Sequence, residues 1–363
     1  MNAPVLLRAR EAALLAPPLT TGAGQRDFLP HVHRMRGLAI LLVVAAHCWP
    51  CFAWTPAQEH AILLLLDNVT VLFMFISGFL FQHLSPRFRY AAYLKRRMGM
   101  VMLPYLLVSM PGIAMAVFVA HREDVWPWVY RLPAWQQVAF FLVTGRHLAP
   151  LWFMPMMALF ILAAPLFVRV DRRGGYGLIL PLAAAFATAT GRDWAPGLAN
   201  VLSKASFMAP AYLAGMAFSR HRLACEAWCE AHWRLLLALL CAITAAIASR
   251  WFAADLSLIQ KLVMAPLVLM LATRVPGGGH VDAALTRLAT LSFGIYFVHG
   301  YVISAARIAC ANLGAPSHPA GTVFVPSAIA LAPTVAMVTI ASVAIVEAVR
   351  RVAGERSRYL IGA

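Results

Sequence analysis

Residues 36–47 read Arg36-Gly-Leu-Ala-Ile-Leu-Leu-Val-Val-Ala-Ala-His47, two basic groups with no polar side chain between them. The apolar run continues towards residue 54, enough for a membrane span, which needs about 20 mostly apolar residues. The whole chain has the same character. Of its 363 residues, 62% are hydrophobic and only 12% charged. A soluble domain has about half apolar and about a quarter charged residues, so a soluble enzyme and a disordered chain are both excluded. The composition predicts an all-α polytopic integral membrane protein.

Ten apolar segments are long enough to count as spans: 37–54, 60–84, 97–120, 148–168, 176–190, 199–218, 234–253, 255–274, 286–309 and 323–349. The fifth is short, and a patch near 135–143 reads as a re-entrant or interfacial piece. Arg8, Arg10 and Glu11 interrupt the N-terminal apolar runs, so no signal peptide is expected. The predicted organisation is a flexible cytoplasmic tail over 1–30, a membrane domain over 31–350 and a cytoplasmic tail over 351–363.

The net charge is +16, from 30 Lys and Arg against 14 Asp and Glu. The basic residues flank apolar spans, among them Arg34, Arg36, Arg87, Arg89, Lys95, Arg172, Arg173, Arg220, Arg350 and Arg351. This is the positive-inside pattern. It predicts both termini in the cytoplasm and no nucleic-acid partner. Cys48-x-x-Cys51 lacks further ligands at zinc spacing and reads as apolar filler, so no metal site is expected.

Titratable groups within spans are costly and therefore candidates for function. Arg36 and His47 are eleven positions apart, almost three turns. They share a helical face about 16 Å apart along the axis. Read alone, Arg36 is a topogenic charge or an anion ligand, and His47 a hydrogen-bonded core histidine or a proton carrier. As a pair they suit an anion at the membrane surface and proton chemistry deep inside. In the ninth segment Ser292, Tyr296 and His299 also share one face, either as a structural polar seam or as a stripe facing the same cavity. Asp67 and Asn68 fall in the second segment. Lys204 and Lys261 lie near span ends, where lysines usually snorkel outward. The loop 121–147 carries Trp126, Trp128, Tyr130, Arg131, Trp135, Arg146 and His147, which reads as interfacial anchoring or as a stacking platform for a sugar acceptor.

The order Arg36-x10-His47, Ile76-Ser-Gly-Phe-Leu80, Lys95-Arg96-Arg97 and Leu103-Pro-Tyr105 resembles the membrane-bound acyltransferase 3 family. Pro150-Leu-Trp-Phe-Met154, Ala214-Gly-Met216 and Ser292-Phe-Gly-Ile-Tyr296 with His299 extend the resemblance, from about residue 28 to 310. One departure is Met100, three after Arg97, where the family often has a second Arg. The resemblance implies transfer of an acyl group, commonly acetyl, from cytoplasmic acyl-CoA to a hydroxyl of a cell-envelope or exported polysaccharide. Arg36, Arg96 and Arg97 would hold the acyl-CoA co-substrate, and no tightly bound cofactor is implied. His47 would act as general base or transient acyl carrier, with Ser292, Tyr296 or His299 as oxyanion or substrate donors. A bacterial inner membrane is the implied location, with the bilayer, the carbohydrate acceptor and either a second copy or polysaccharide-assembly proteins as partners. A transporter or glycan flippase without acyl chemistry is the alternative from another class.

Overall fold

The computed structural model describes residues 28–363 except 53, 251–253, 313–316, 319–320 and 323–329. Residues 1–27 of the expected tail, and the start of the tenth expected span, therefore lie outside the described residues. The helices run α1 (Pro30–Cys48), α2 (Pro56–Leu66), α3 (Thr70–His83), α4 (Tyr90–Arg97), α5 (Leu103–Ala114), α6 (Ala134–Thr144), α7 (Phe153–Leu162) and α8 (Ala164–Arg173). They continue with α9 (Tyr176–Thr190), α10 (Asn200–Arg220), α11 (Arg222–Ala248), α12 (Ser257–Arg274), α13 (His280–Asn312), α14 (Leu331–Ala353) and α15 (Ser357–Leu360). Short 3-10 and π-helical turns join several of these helices, and among the described residues one two-residue antiparallel strand pair occurs, Ser317–His318 with Gly321–Thr322.

The described residues are all-helical apart from that pair, and the chain is polytopic. Among the described residues, seven helical stretches are long and apolar enough to cross a bilayer, and a bent pair makes an eighth if counted as one span. The expected count of ten is not met. The predicted 148–168 span is bent sharply against the helix before it and broken once within. Helix α6 and the stretch Ala149–Leu162 meet at 72°, and Pro165 starts a new helix, α8, because proline cannot supply the N–H that continues α7. The fifth segment is only the 15-residue α9, about 22 Å long against a hydrocarbon core of about 30 Å. Helix α10 has 21 residues, but Asn200, Ser203, Lys204 and Ser206 make its first turns polar. The predicted 60–84 span is interrupted too. Helix α2 stops at Leu66, and Asn68 takes a left-handed φ of 53°, a conformation that Asn tolerates better than most residues.

Two close helix contacts organise the bundle. Helices α3 and α10 run antiparallel, with Gly78 against the backbone of Tyr212 and Gly215 against that of Phe75. A Cβ on either glycine would collide with a carbonyl oxygen. Small residues let membrane helices touch backbone to backbone, gaining van der Waals contact where no hydrophobic force separates lipid from protein. Thus Ser77-Gly78 and Ala214-Gly215-Met216 are two sides of one joint.

The second contact joins α1 to α13. Gly37 abuts the carbonyl of Leu285. One turn earlier Arg34 donates to Asp282 Oδ1 at 2.7 Å and to the Ala272 carbonyl at 3.0 Å. Arg34 is therefore buried and paired, a strut between three helices as well as a flanking charge. Lys261 corrects another expectation. It does not snorkel but is 1% exposed, donating to the Leu64 carbonyl and to Gln260 Oε1.

Candidate active site

Helices α1 and α13 are matched in the same direction, Arg34 to Asp282, Gly37 to Leu285 and His47 to His299. This parallel alignment decides where the polar groups meet. The imidazoles of His47 and His299 lie 5.2 Å apart between ring centres, tilted by 45°. His299 Nδ1 is 3.0 Å from the Ile295 carbonyl oxygen. That contact puts the proton on Nδ1 and leaves Nε2 as a proton acceptor. Nε2 is buried without a partner among the described residues. His47 is half-buried, and no described residue holds it by a hydrogen bond.

The other two members of the stripe do not serve His47 directly. Ser292 Oγ donates to the Ala289 carbonyl of its own helix at 2.8 Å. The Tyr296 hydroxyl donates to the Pro150 carbonyl, clamping the turn Ala149–Trp152 onto α13. Each has a single O–H, and both are already used.

The cationic end of α1 is built from Arg36 and Arg97. They are close enough for their like charges to repel, and neither forms an ion pair among the described residues. Arg97 lies 5.5 Å from the ring centre of Tyr93, a cation–π contact that turns it inward. Arg96 is exposed. Arg97 is followed by a π-helical turn, Met98–Met102, just before Pro104. A proline clashes with the carbonyl four residues back, and the wider turn relieves that clash while bringing α4 round to face α1. Such π turns often occur at functional sites.

Arg192 is a residue that the sequence reading missed. It lies in the loop Gly191-Arg-Asp193 and donates to Asn68 Oδ1 at 2.7 Å, with Asp67 at 3.7 Å. Asn68 in turn donates to Ser257 Oγ at 2.6 Å. The charge of Arg192 is felt at His47. Asp67 thus pairs with an arginine. The available signal was the Asp67-Asn68 pair in an apolar segment, which needed a buried partner.

Beyond His299 the bundle opens into a cavity of about 320 Å³. Gly300, next to His299 in the chain, packs on Leu148 and Pro150, and Leu148 also lines the cavity. The aromatic loop is divided. Trp126 and Arg146 line the cavity, Trp135 is 69% exposed, and Tyr130 stacks on His121 at 3.9 Å. The His147 ring is buried against Tyr105 and Phe141.

Residues 31–347 match the family model of the acyltransferase 3 family, an acyltransferase domain. That stretch contains Arg36, His47, Arg96, Arg97, Arg192, Ser292, Tyr296 and His299. No curated protein and no solved structure matches the chain.

Proposed function

The chain belongs to the acyltransferase 3 family, and we propose that it is an O-acyltransferase that moves an acyl group, acetyl first among the candidates, from cytoplasmic acyl-CoA to a hydroxyl of a cell-envelope or exported polysaccharide. A bacterial inner membrane is the location that fits this reaction. The observation that carries the reading is the helix α1 itself. It has an unpaired guanidinium couple, Arg36 with Arg97, at one end and the His47–His299 couple nearly three turns further on.

In this reading Arg36 and Arg97 bind the phosphates of acyl-CoA, since forked guanidinium donors suit phosphate oxygens. The exposed Arg96 contributes only to the field that attracts the anion. The thioester reaches inward along α1. Neutral His47 takes the proton of the acceptor hydroxyl as the oxygen attacks the thioester carbonyl. The tetrahedral intermediate then expels CoA thiolate, which takes the proton back from His47. A second route passes the acyl group through His47 Nε2 or Nδ1, with CoA leaving first and the acceptor attacking the acyl-imidazole. In both, His299 Nε2, without a partner among the described residues, is a free acceptor beside His47, able to take a hydrogen bond from the imidazole once the rings reorient. The oxyanion needs a donor that is not already used. Ser292 and Tyr296 donate to carbonyls, which leaves Arg192, whose charge acts on His47, as a cationic candidate.

Mass spectrometry of the host's envelope polysaccharide, with and without the protein, tests the reading. An added acyl group that disappears with His47→Ala supports it. Export of unmodified glycan, independent of any acyl donor, would instead establish the transporter alternative.

A further inference from the structure

We propose that the cavity beyond His299 is a subsite for an acidic saccharide, a sugar bearing a carboxylate. It would be the acceptor's recognition site, and this rests on the acyltransferase reading above.

The cavity holds two cations with incompletely used donors. The Arg146 guanidinium lies 4.4 Å from the ring centre of Trp126, and the Lys204 ammonium 4.8 Å from that of Trp152. Both side chains line the cavity. Arg146 Nη1 donates to the Asp124 backbone carbonyl at 3.2 Å, while its Nε is buried without a partner among the described residues. Lys204 is 12% exposed and sits 3.7 Å from Asp193, within ion-pair range but beyond a hydrogen bond.

The nearby carboxylates are committed elsewhere. Both oxygens of Asp124 are held by Arg122, at 2.9 and 3.2 Å. Asp193 accepts from Arg192 at 3.1 Å and from Asn200 at 2.8 Å. Burial alone would raise the Asp193 carboxyl, but the Asn200 hydrogen bond and the charges of Arg192 and Lys204 outweigh it and hold the group below the usual carboxylate range. Asp193 is thus a fixed anion, and the free donor capacity belongs to the cations.

A neutral sugar would leave the Arg146 guanidinium desolvated without a counter-charge and Lys204 with only its 3.7 Å pairing to Asp193, which is costly. A glycerophospholipid phosphate would satisfy them but brings no sugar ring face to pack on the tryptophans. A uronate-like sugar suits both. Its carboxylate bridges Arg146 and Lys204, its hydroxyls can donate to Asp193, and its apolar ring face packs on the tryptophans. The Leu148 side of the cavity would then set a neighbouring hydroxyl towards the histidine pair.

The test uses the full-length protein in phosphatidylcholine nanodiscs with no acyl donor, reading tryptophan fluorescence. Oligosaccharides carrying galacturonate, glucuronate or neuraminate are titrated against their carboxyl-reduced counterparts. We expect at least one acid to bind tenfold or more tighter than its reduced form, with that preference lost in Arg146→Gln and Lys204→Gln and retained in part by Lys204→Arg. Equal binding of acid and reduced forms overturns the proposal without needing any variant. So does acid binding that both Gln variants leave unchanged, or a fluorescence response to phosphatidylglycerol that no saccharide displaces. Acyl-CoA consumption by the wild type is measured separately. Consumption without acid preference removes the subsite and spares the transferase. Acid-selective binding without consumption of any acyl-CoA removes the acceptor role.

Discussion

Arg34 and Asp282, joined at 2.7 Å, fix the register in which α1 and α13 run side by side. Because the two helices are parallel from that pair onward, the histidines further along each one arrive at the same depth. His47 and His299 meet at 5.2 Å as a consequence of this alignment. Asp282→Asn is therefore expected to weaken the register as well as the ion pair. The measurable result is a lower thermal midpoint in detergent together with a fall in kcat, since a misplacement of about 1 Å costs about a hundredfold. A fall in stability with unchanged kcat would separate the strut from the site.

The histidines differ in what they lose. His47→Ala removes the general base or acyl carrier, and kcat should drop by about 10²–10⁴-fold, the usual contribution of such a group. His299→Asn keeps a donor near the Ile295 carbonyl but alters the acceptor that faces His47, so a smaller loss in kcat with little change in KM for acyl-CoA is expected. Steady-state kinetics on the two variants distinguishes the roles.

The three arginines should also separate. Loss of a charged hydrogen bond costs about 1.5–3 kcal/mol, so Arg36→Ala and Arg97→Ala should each raise KM for acyl-CoA by about tenfold or more. Arg96 is exposed and should act through screened attraction alone. The Arg96→Ala effect is expected to be several-fold smaller and to vanish at high salt. A salt titration of acyl-CoA binding checks both statements.

Gly78 and Gly215 leave no room for a side chain. Gly78→Ala or Gly215→Ala should push α3 and α10 apart and lower stability by about 1–3 kcal/mol or more, the range for overpacking. Thermal unfolding of the purified variants in detergent reads this directly.

Asp193 supplies a pH dependence. Its folded-state pKa lies below the ordinary value, after burial is outweighed by Asn200, Arg192 and Lys204. Its contribution to stability is thus complete above the unfolded carboxyl's pKa of about 4 and is lost as pH falls through the lower folded value. The gap in thermal midpoint between the wild type and Asp193→Asn should be full at neutral pH and close on strong acidification.

Much of this was legible in the sequence. The Arg36–His47 spacing placed both on one face of α1, and the Ser292-Tyr296-His299 stripe held the second histidine. Spacing alone did not reveal that only His299 turns to His47, because hydroxyl commitments depend on partners such as the Pro150 carbonyl. Hydropathy does not register backbone breaks: it ran α7 and α8 together across Pro165 and passed over Asn68, although Pro56–His83 still counts as one stretch long and apolar enough to cross a bilayer. Arg192 was invisible for a related reason. It sits in a short polar loop where an arginine needs no explanation, and its partner Asn68 is distant in sequence. Lys261 looked like a snorkelling residue because its partners, the Leu64 carbonyl and Gln260, carry no charge pattern.

The decisive measurement is CoA release and protein labelling from radiolabelled acetyl-CoA by the purified protein in nanodiscs, with His47→Ala and Arg36→Ala beside the wild type. The expected result is turnover or labelling by the wild type that both variants lose, with label retained on the protein if the acyl-histidine route operates. Turnover that survives His47→Ala would contradict the proposed chemistry.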